Sequence, residues 1–201
     1  MAAHKFRTLR DIENFGRTRL SKSFYMRDFL HSEISQLEGI TNLPSDPLLA
    51  IYTGKRLCED LLEPLQDRFG RIAIRSAYRS AQINKIGNRK GYRCASNERN
   101  HARHIWDVRD KQGHCGAMAC IAIPWFADRY AEGEDWRSLA WWIHHHLPYS
   151  ELCFYPRLCA FNIGWHEKPK RIIRSYIAPK GVLSRPGMCV HFRHAQFSSP
   201  F

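Results

Sequence analysis

Residues 72–84 read IAIRSAYRSAQIN, a short apolar run that turns polar at once. The run follows Gly70, which ends a helical pattern, and its first three residues predict a strand. Tyr78, Arg79 and Ser80 come just past the end of this strand, before a second helical run. Side chains at the end of a strand are well placed to meet a ligand, so these three are candidate substrate-binding residues.

The segment 76–84, SAYRSAQIN, resembles the S-G-Y-R-S-P-x-x-N turn of the zinc D-Ala-D-Ala peptidases, a family that shares its fold with hedgehog-type domains. Ala77 replaces the usual Gly, and Ala81 replaces the usual Pro. The resemblance implies an α+β domain with a small antiparallel sheet flanked by helices. It also implies that Arg79 faces a substrate carboxylate, which suits a planar and permanently charged guanidinium. The plainer alternative makes Arg79 a surface side chain and Tyr78 a core aromatic.

The composition limits the classes of partner. The 201 residues include 31 Lys and Arg against 19 Asp and Glu, which gives a formal net charge of +12. This balance favours polyanionic partners, either nucleic acid or the anionic bacterial cell wall. The length fits one domain with a proper core, and the six Trp argue against a disordered chain. Solubility alone is the plainer explanation of the charge.

Cysteine usage and the N-terminus indicate the compartment. The seven cysteines form no C-x-x-C pair, so neither a disulfide framework nor a zinc finger is predicted. The first residues lack the apolar core of a signal peptide, and no stretch approaches the roughly 18 apolar residues of a membrane span. We therefore expect a cytoplasmic protein without a membrane span, exported only by a phage-type route.

The chain divides into three predicted segments. Residues 1–22 form a basic N-terminal arm without a clear period, 23–178 form the peptidase-like domain, and 179–201 form a loosely structured tail. Within the domain, residues 84–112 are strongly polar and rich in Arg and Lys. We interpret them as a basic inserted loop on the surface.

Periodicity predicts the scaffold of the domain. A buried helix is expected over 47–69, bent near Pro64, and an amphipathic helix over 135–147. Strands at 152–156 and 160–166 are expected to form a hairpin. The three consecutive histidines near the end of the second helix point in different directions, so we interpret them as exposed imidazoles rather than as a metal site.

Histidines and aspartates cluster in residues 100–110, NHARHIWDVRD, as metal ligands would. The resembled family binds zinc through H-x-x-G-x-A-x-D and a later His, and the metal lowers the pKa of a bound water so that hydroxide attacks an amide. In one alignment His101 and Asp107 supply the first two ligands, and in a variant of it His104 and Asp110 do so. Each pair is one residue short of the family's spacing. Alternatively, the histidines simply pair with nearby acids.

A second alignment places residues 116–124, GAMACIAIP, on the family's G-x-A-A-D-I-x-V-P. Cys120 then takes the position of the zinc-binding aspartate, and His114 falls one residue past the position of the histidine. A thiolate can bind zinc, so this substitution does not exclude a metal. Both alignments stay open.

Residues 162–166, NIGWH, resemble the E-x-x-W-H motif that carries the last ligand of the family. The resemblance implies that His166 binds zinc, whereas Asn162 replaces the general base and cannot take a proton from water. Because general-base help contributes about a hundred- to ten-thousandfold in rate, such a protein is expected to be slow or inactive. Glu167 and Glu151 are the possible substitutes for the missing carboxylate.

Two functional interpretations follow. The first is a zinc-dependent D-Ala-D-Ala peptidase-like hydrolase that acts on or binds peptidoglycan peptides of the cell wall, with an altered metal site. The second is a pseudoenzyme, a non-catalytic basic module on the same fold that binds nucleic acid, cell wall or an acidic partner, or forms part of a phage particle. Metal content separates the two.

Overall fold

The structure is a computed structural model that describes residues 6–188. Its helices are α1 (Leu9–Gly16), α2 (Glu33–Glu38), α3 (Pro47–Leu57), α4 (Glu63–Phe69), α5 (Ala81–Arg89), α6 (Asn97–Asn100), α7 (Pro124–Ala131) and α8 (Trp136–His146). Two 3-10 turns lie at Met26–Phe29 and Arg157–Cys159, and a π turn lies at Cys58–Leu62. Its strands are β1 (Ala73–Ser76), β2 (Gly116–Ala122), β3 (Glu151–Phe154), β4 (Phe161–His166), β5 (Ile172–Ser175) and β6 (Gly181–Ser184).

The six strands form one sheet in the order β1-β2-β4-β3-β5-β6. Neighbouring strands are antiparallel except β3 and β5, which run parallel. The predicted α+β class and the β3–β4 hairpin are therefore confirmed, whereas the sheet is mixed rather than antiparallel. The parallel pair arises because the chain crosses the end of the sheet between β4 and β5 instead of turning back in a hairpin.

The scaffold helix starts where the sequence predicts. The Asp46 carboxylate accepts a hydrogen bond from the Leu49 amide and caps α3, and Pro47 occupies the first turn, where no amide donor is needed. The expected irregularity near Pro64 takes the form of the π turn at Cys58–Leu62, which joins α3 to α4. A proline cannot donate to the preceding turn, and a widened turn accommodates that missing hydrogen bond.

The two faces of the sheet differ in chemistry because side chains alternate along each strand. One face is fully buried against the helices and carries aliphatic residues such as Ile121, Leu152, Ile163 and Ile173. Helix α3 packs against β2 and β4 on this side. The opposite face carries polar side chains and thiols, and it is the face that remains open to a ligand.

The two ends of the described chain differ from the sequence predictions. Helix α1 lies inside the predicted irregular arm, because Thr8 and Asp11 form a capping box and Phe15 is buried. Strand β6 lies inside the predicted loose tail and extends the sheet by pairing with β5. The remainder of that tail, from residue 189, lies outside the described residues, as do residues 1–5 of the arm.

The predicted surface loop 84–112 is also wrong in two of its parts, although residues 88–93 are exposed. Its first residues belong to α5, and residues 104–107 are buried, with Ile105 and Trp106 fully inaccessible. The indole of Trp106 donates to the Met118 carbonyl, which fixes the segment to β2. Polar composition hid this segment because its buried polar groups find partners inside the fold. Between residues 6 and 188, none of the helices is long and apolar enough to cross a bilayer.

Candidate functional site: an arginine-lined cleft

A cleft of about 590 Å³ lies over the open face of the sheet. Its floor is a single row of side chains across five paired strands. The row runs Ser76, Cys120, Asn162, Cys153 and Arg174, since each of these residues is the cross-strand partner of the next. The irregular register at Arg75 in β1 is a bulge that brings Ser76, rather than its neighbour, opposite Cys120.

The charge of the cleft is strongly one-sided. Among the described residues that line it, a single carboxylate, Glu151, faces a group of cations. The five arginines are Arg79, Arg93, Arg99, Arg103 and Arg174. This excess of guanidinium groups makes the cleft a site for an anion.

Arg79 is held in place by its backbone. Its amide donates to the His104 carbonyl over 2.8 Å, and the next amide, that of Ser80, donates to the Asn42 side chain over 2.8 Å. At the other end of the side chain, Nη1 lies 2.7 Å from the Cys94 thiol. The Nε atom of Arg79 is buried and has no hydrogen-bond partner among the described residues. Since a buried unsatisfied donor costs about 1–3 kcal/mol, a ligand oxygen that reached it would be stabilised.

Arg103, which also lines the cleft, repeats part of this pattern. It follows Ala102, whose φ of 53° turns the chain sharply, and its carbonyl accepts a hydrogen bond from the Met118 amide of β2. Its Nη2 atom lies 3.3 Å from Glu151 Oε2. Its Nε atom is again buried and unpartnered. Two arginines of one cleft therefore each keep a desolvated donor without a protein acceptor.

Glu151 organises the cations. Its side chain is 7% exposed and lies within 3.4 Å of Arg103, Lys170 and Arg174. Burial raises the pKa of this carboxyl, but the three cations outweigh burial and lower the pKa overall. Glu151 therefore stays ionised and serves to position the cations, and its ion pairs make it a weaker base than a free carboxylate.

His104 is buried at the edge of the cleft. Its Nδ1 atom donates to the Ala77 carbonyl over 2.8 Å, because a carbonyl oxygen can only accept. Burial, together with Arg79 and Arg103, lowers the pKa of this imidazole to about 3. The ring is therefore neutral, and the described residues offer its Nε2 lone pair no hydrogen-bond partner.

Asp107, another candidate zinc ligand, belongs to the interior. Its carboxylate accepts hydrogen bonds from the Ser45 amide at 2.8 Å and from the Tyr78 hydroxyl at 3.1 Å. Burial raises its pKa. Tyr78 itself is fully buried, as the plainer alternative expected, and Ser80 caps α5 through a hydrogen bond from the Ile83 amide. These residues shape the turn that presents Arg79.

His166 lies elsewhere, at the end of β4. Its Nδ1 atom accepts from the Lys168 amide at 3.0 Å, and its Nε2 atom lies 3.1 Å from Asp110 Oδ2. The other oxygen of Asp110 lies 3.7 Å from His114 Nδ1 and also accepts the amides of Gln112 and His114. This small cluster ties the 110–114 turn to the sheet, and both ring nitrogens of His166 are already engaged.

The structure thus divides the predicted zinc ligands among three environments. His104 and Cys120 line the cleft, Asp107 is buried behind it, and Asp110, His114 and His166 lie together at the end of β4. His101 is half-buried and lies in none of these three places. Within residues 6–188, no three His, Cys, Asp or Glu side chains are arranged to hold a metal ion. The residues as placed do not form the zinc site that the resemblance implies, and we assign no step to a metal.

The remaining candidate groups are also engaged or neutral. Glu167 accepts a hydrogen bond from the Cys115 amide at 2.7 Å and pairs with Arg109, and these contacts lower its pKa. Asn162 donates through Nδ2 to the Tyr155 hydroxyl at 3.1 Å. Burial raises the pKa of Cys120 to about 11, so this thiol is protonated at neutral pH.

Sequence reasoning placed Arg93, Arg99 and Arg103 in a basic segment but did not bring them together with Arg174 and Glu151. The role of Glu151 as a common partner of Arg103 and Arg174 carries no motif. The available signal was the alternation along the strands, since Glu151 and Cys153 in β3 and Arg174 in β5 alternate with Leu152, Phe154 and Ile173 of the buried face.

Comparison with known proteins adds no relative. No protein-family model matches the chain, and neither curated proteins nor solved structures show a significant similarity to it. The functional assignment consequently rests on the geometry and charge of the cleft.

Proposed function

We propose that this protein is a non-catalytic binding module whose cleft holds an anionic group of its ligand, either a carboxylate or a phosphate. The observation that supports this proposal is the group of five arginines that lines the cleft against the single carboxylate of Glu151. A guanidinium presents its donors as a rigid fork that matches carboxylate and phosphate oxygens.

The electrostatics of the cleft support the same proposal. Glu151 is shared among Arg103, Lys170 and Arg174, so one negative charge is spread over three cations. Arg79 contacts no carboxylate in the described chain, since the partners of its Nη1 atom are the Cys94 thiol and the Asn84 amide oxygen. An anion entering the cleft would therefore meet uncompensated positive charge in a partly desolvated setting, where attraction is stronger than in bulk water.

The lack of a well-matched base among the described lining residues favours binding over hydrolysis. Asn162 cannot accept a proton, the Cys120 thiol is neutral, His104 has a pKa of about 3, and three cations lower the pKa of the Glu151 carboxyl. A general base works best with a pKa near the operating pH. None of these groups meets that requirement.

The test is a calorimetric titration of the protein with tripolyphosphate and, separately, with the dipeptide D-Ala-D-Ala. We expect at least one of the two to bind, and Arg79→Gln to weaken that binding at least about tenfold, the value of one charge-assisted hydrogen bond. Arg137→Gln is the matched control, because Arg137 is 47% exposed, pairs with Asp135 and lies outside the cleft. Equal binding by Arg79→Gln and the wild type, or no binding of either anion, contradicts the proposal.

The zinc peptidase interpretation predicts a different result. It requires bound zinc that is lost in His166→Ala, together with cleavage of the dipeptide. Our proposal expects the dipeptide to stay intact after incubation with the protein, both with and without added zinc. Cleavage of the dipeptide that disappears in His166→Ala would contradict the binding-module proposal and support the zinc peptidase interpretation.

A further inference from the structure

Two tyrosines form a stacked pair at the β5 end of the cleft. The rings of Tyr155 and Tyr176 lie 5.5 Å apart between centroids, with only 11° between their planes. Both line the cleft. Tyr155 is half-buried, and its hydroxyl accepts a hydrogen bond from Asn162, whereas Tyr176 is 60% exposed. The inner ring is thus fixed, and the outer ring is available to a ligand.

The sheet sets this pair in place. Tyr155 directly follows β3, and Tyr176 directly follows β5, and these two strands pair in parallel with Phe154 opposite Ser175. The residue after each strand therefore lies beside the other. The Tyr176 amide donates to the Phe154 carbonyl at 2.9 Å, and the Tyr155 amide donates to the Ala160 carbonyl at 2.8 Å. The platform consequently rests on a hydrogen-bonded backbone rather than on a free loop.

The platform lies beside the cations of the cleft. Arg174 is the last residue of the floor row and precedes Tyr176 by two positions, while Arg79 and Arg103 line the same cavity. Aromatic rings next to a positively charged groove are the combination by which proteins bind single-stranded nucleic acids, because every base offers a flat face for stacking. A cavity of about 590 Å³ also suits a ligand of nucleotide size.

We infer that the anionic ligand is a nucleotide unit of a single-stranded nucleic acid, with phosphate oxygens on Arg79 and Arg103 and a base stacked on Tyr176. This inference rests on the proposed anion binding and specifies its ligand. A peptide that ends in D-Ala also supplies an anion, but its methyl groups would gain little from an exposed, rigidly supported ring. The stacked pair therefore favours the nucleotide over the peptide.

The test is fluorescence anisotropy with labelled oligo(dT) and oligo(U) of about eight nucleotides, with tripolyphosphate as a competitor. We expect Tyr176→Ala to weaken oligonucleotide binding roughly 5- to 150-fold, the range that one stacked base contributes. Tyr176→Phe keeps the ring and should bind like the wild type. Tyr52→Ala is the matched control, because Tyr52 is 47% exposed and lies on α3, across the sheet from the cleft. The oligonucleotide that binds more tightly identifies the source as DNA or RNA.

The outcomes separate this inference from the proposal on which it depends. Suppose that Tyr176→Ala binds both oligonucleotides as tightly as the wild type, while Arg79→Gln no longer binds tripolyphosphate. The inference that a base stacks on Tyr176 is then wrong, and the proposal that the cleft binds an anion is still supported. Binding of D-Ala-D-Ala without binding of either oligonucleotide overturns the inference in favour of a peptide. If no oligonucleotide, tripolyphosphate or dipeptide binds, the anion-binding proposal itself fails.

Discussion

At the scale of single residues, the neutral imidazole of His104 links the cleft to the stability of the fold. Burial and two neighbouring arginines lower its pKa from the ordinary 6.5 to about 3 in the folded protein. Between these values the unfolded chain binds a proton that the folded protein does not bind. The free energy of unfolding therefore falls as the pH decreases through this window, and the stabilisation is fully present only above about pH 6.5.

We expect His104→Gln to lose less stability than the wild type when the pH is lowered from about 7 to about 5, since the variant has no proton to gain on unfolding at this position. Urea unfolding at both pH values measures the difference. His31→Gln is the control, because His31 is 57% exposed in its side chain. It should keep the pH dependence of the wild type. Identical losses in all three proteins would show that His104 titrates normally.

Residue roles were predictable from the sequence only where a motif carried them. The Tyr-Arg-Ser turn singled out Arg79, which lines the cleft. Arg103 and Arg174 are two of many arginines, and their convergence depends on tertiary placement: a left-handed residue before Arg103 and the register of β5 at Arg174. No local sequence pattern predicts that these two arginines lie close together, and none predicts that both form ion pairs with Glu151.

At the scale of elements, Gly116 explains how β2 comes so close to the 102–104 segment. A Cβ atom there would meet the backbone carbonyl oxygens of Ala102 and Trp165, the second at 2.8 Å. A Cβ atom at Gly164, on the neighbouring strand, would crowd the flexible end of Met118, at 2.9 Å, and would lie 3.6 Å from the Ala117 carbonyl oxygen, an ordinary contact distance. Backbone cannot yield as a methionine side chain can, so the two glycines differ in what they tolerate.

Gly116→Ala is expected to destabilise the protein by about 1–3 kcal/mol, because it forces the backbones apart, and Gly164→Ala is expected to cost less. The midpoint of urea unfolding for the two variants and the wild type tests this order. A Gly164→Ala protein as unstable as Gly116→Ala, or a Gly116→Ala protein as stable as the wild type, would contradict the proposed close approach.

Elements with long periodic patterns were predicted well. The α3–α4 scaffold and α8 bury residues at helical spacing, and the β3–β4 hairpin follows apolar runs. Short elements were missed, because α1 contains few apolar residues and β6 is four residues long in a segment rich in Gly and Pro. The buried 104–107 segment was hidden by its charged neighbours. Its burial depends on partners far away in sequence, such as the Ala77 carbonyl for His104.

At the scale of the whole molecule, the net charge of +12 and the cleft make different predictions about binding. If binding depends only on overall charge, any polyanion binds, and removal of any exposed arginine weakens binding by the same amount. If the cleft contacts a phosphate directly, removal of a cleft arginine weakens binding more than removal of an arginine elsewhere. The dependence of binding on salt measures this difference, because each neutralised phosphate releases counterions.

For a single-stranded oligonucleotide, Arg79→Gln should reduce the slope of log K against log salt by about 0.7, the value of one phosphate contact. Arg137→Gln lowers the net charge by the same amount but should leave the slope unchanged, since it lies outside the cleft. A titration series over several salt concentrations provides the slopes. Equal reductions in both variants would assign the binding to overall charge instead.

The most direct measurement is a crystal structure of the protein saturated with tripolyphosphate. The account predicts anion oxygens at about 3 Å, hydrogen-bond distance, from the guanidinium groups of Arg79 and Arg103, which line the cleft. Glu151 should keep its contacts with Lys170 and Arg174. A saturated complex in which the anion lies outside the cleft would contradict the central claim that this cleft is an anion-binding site.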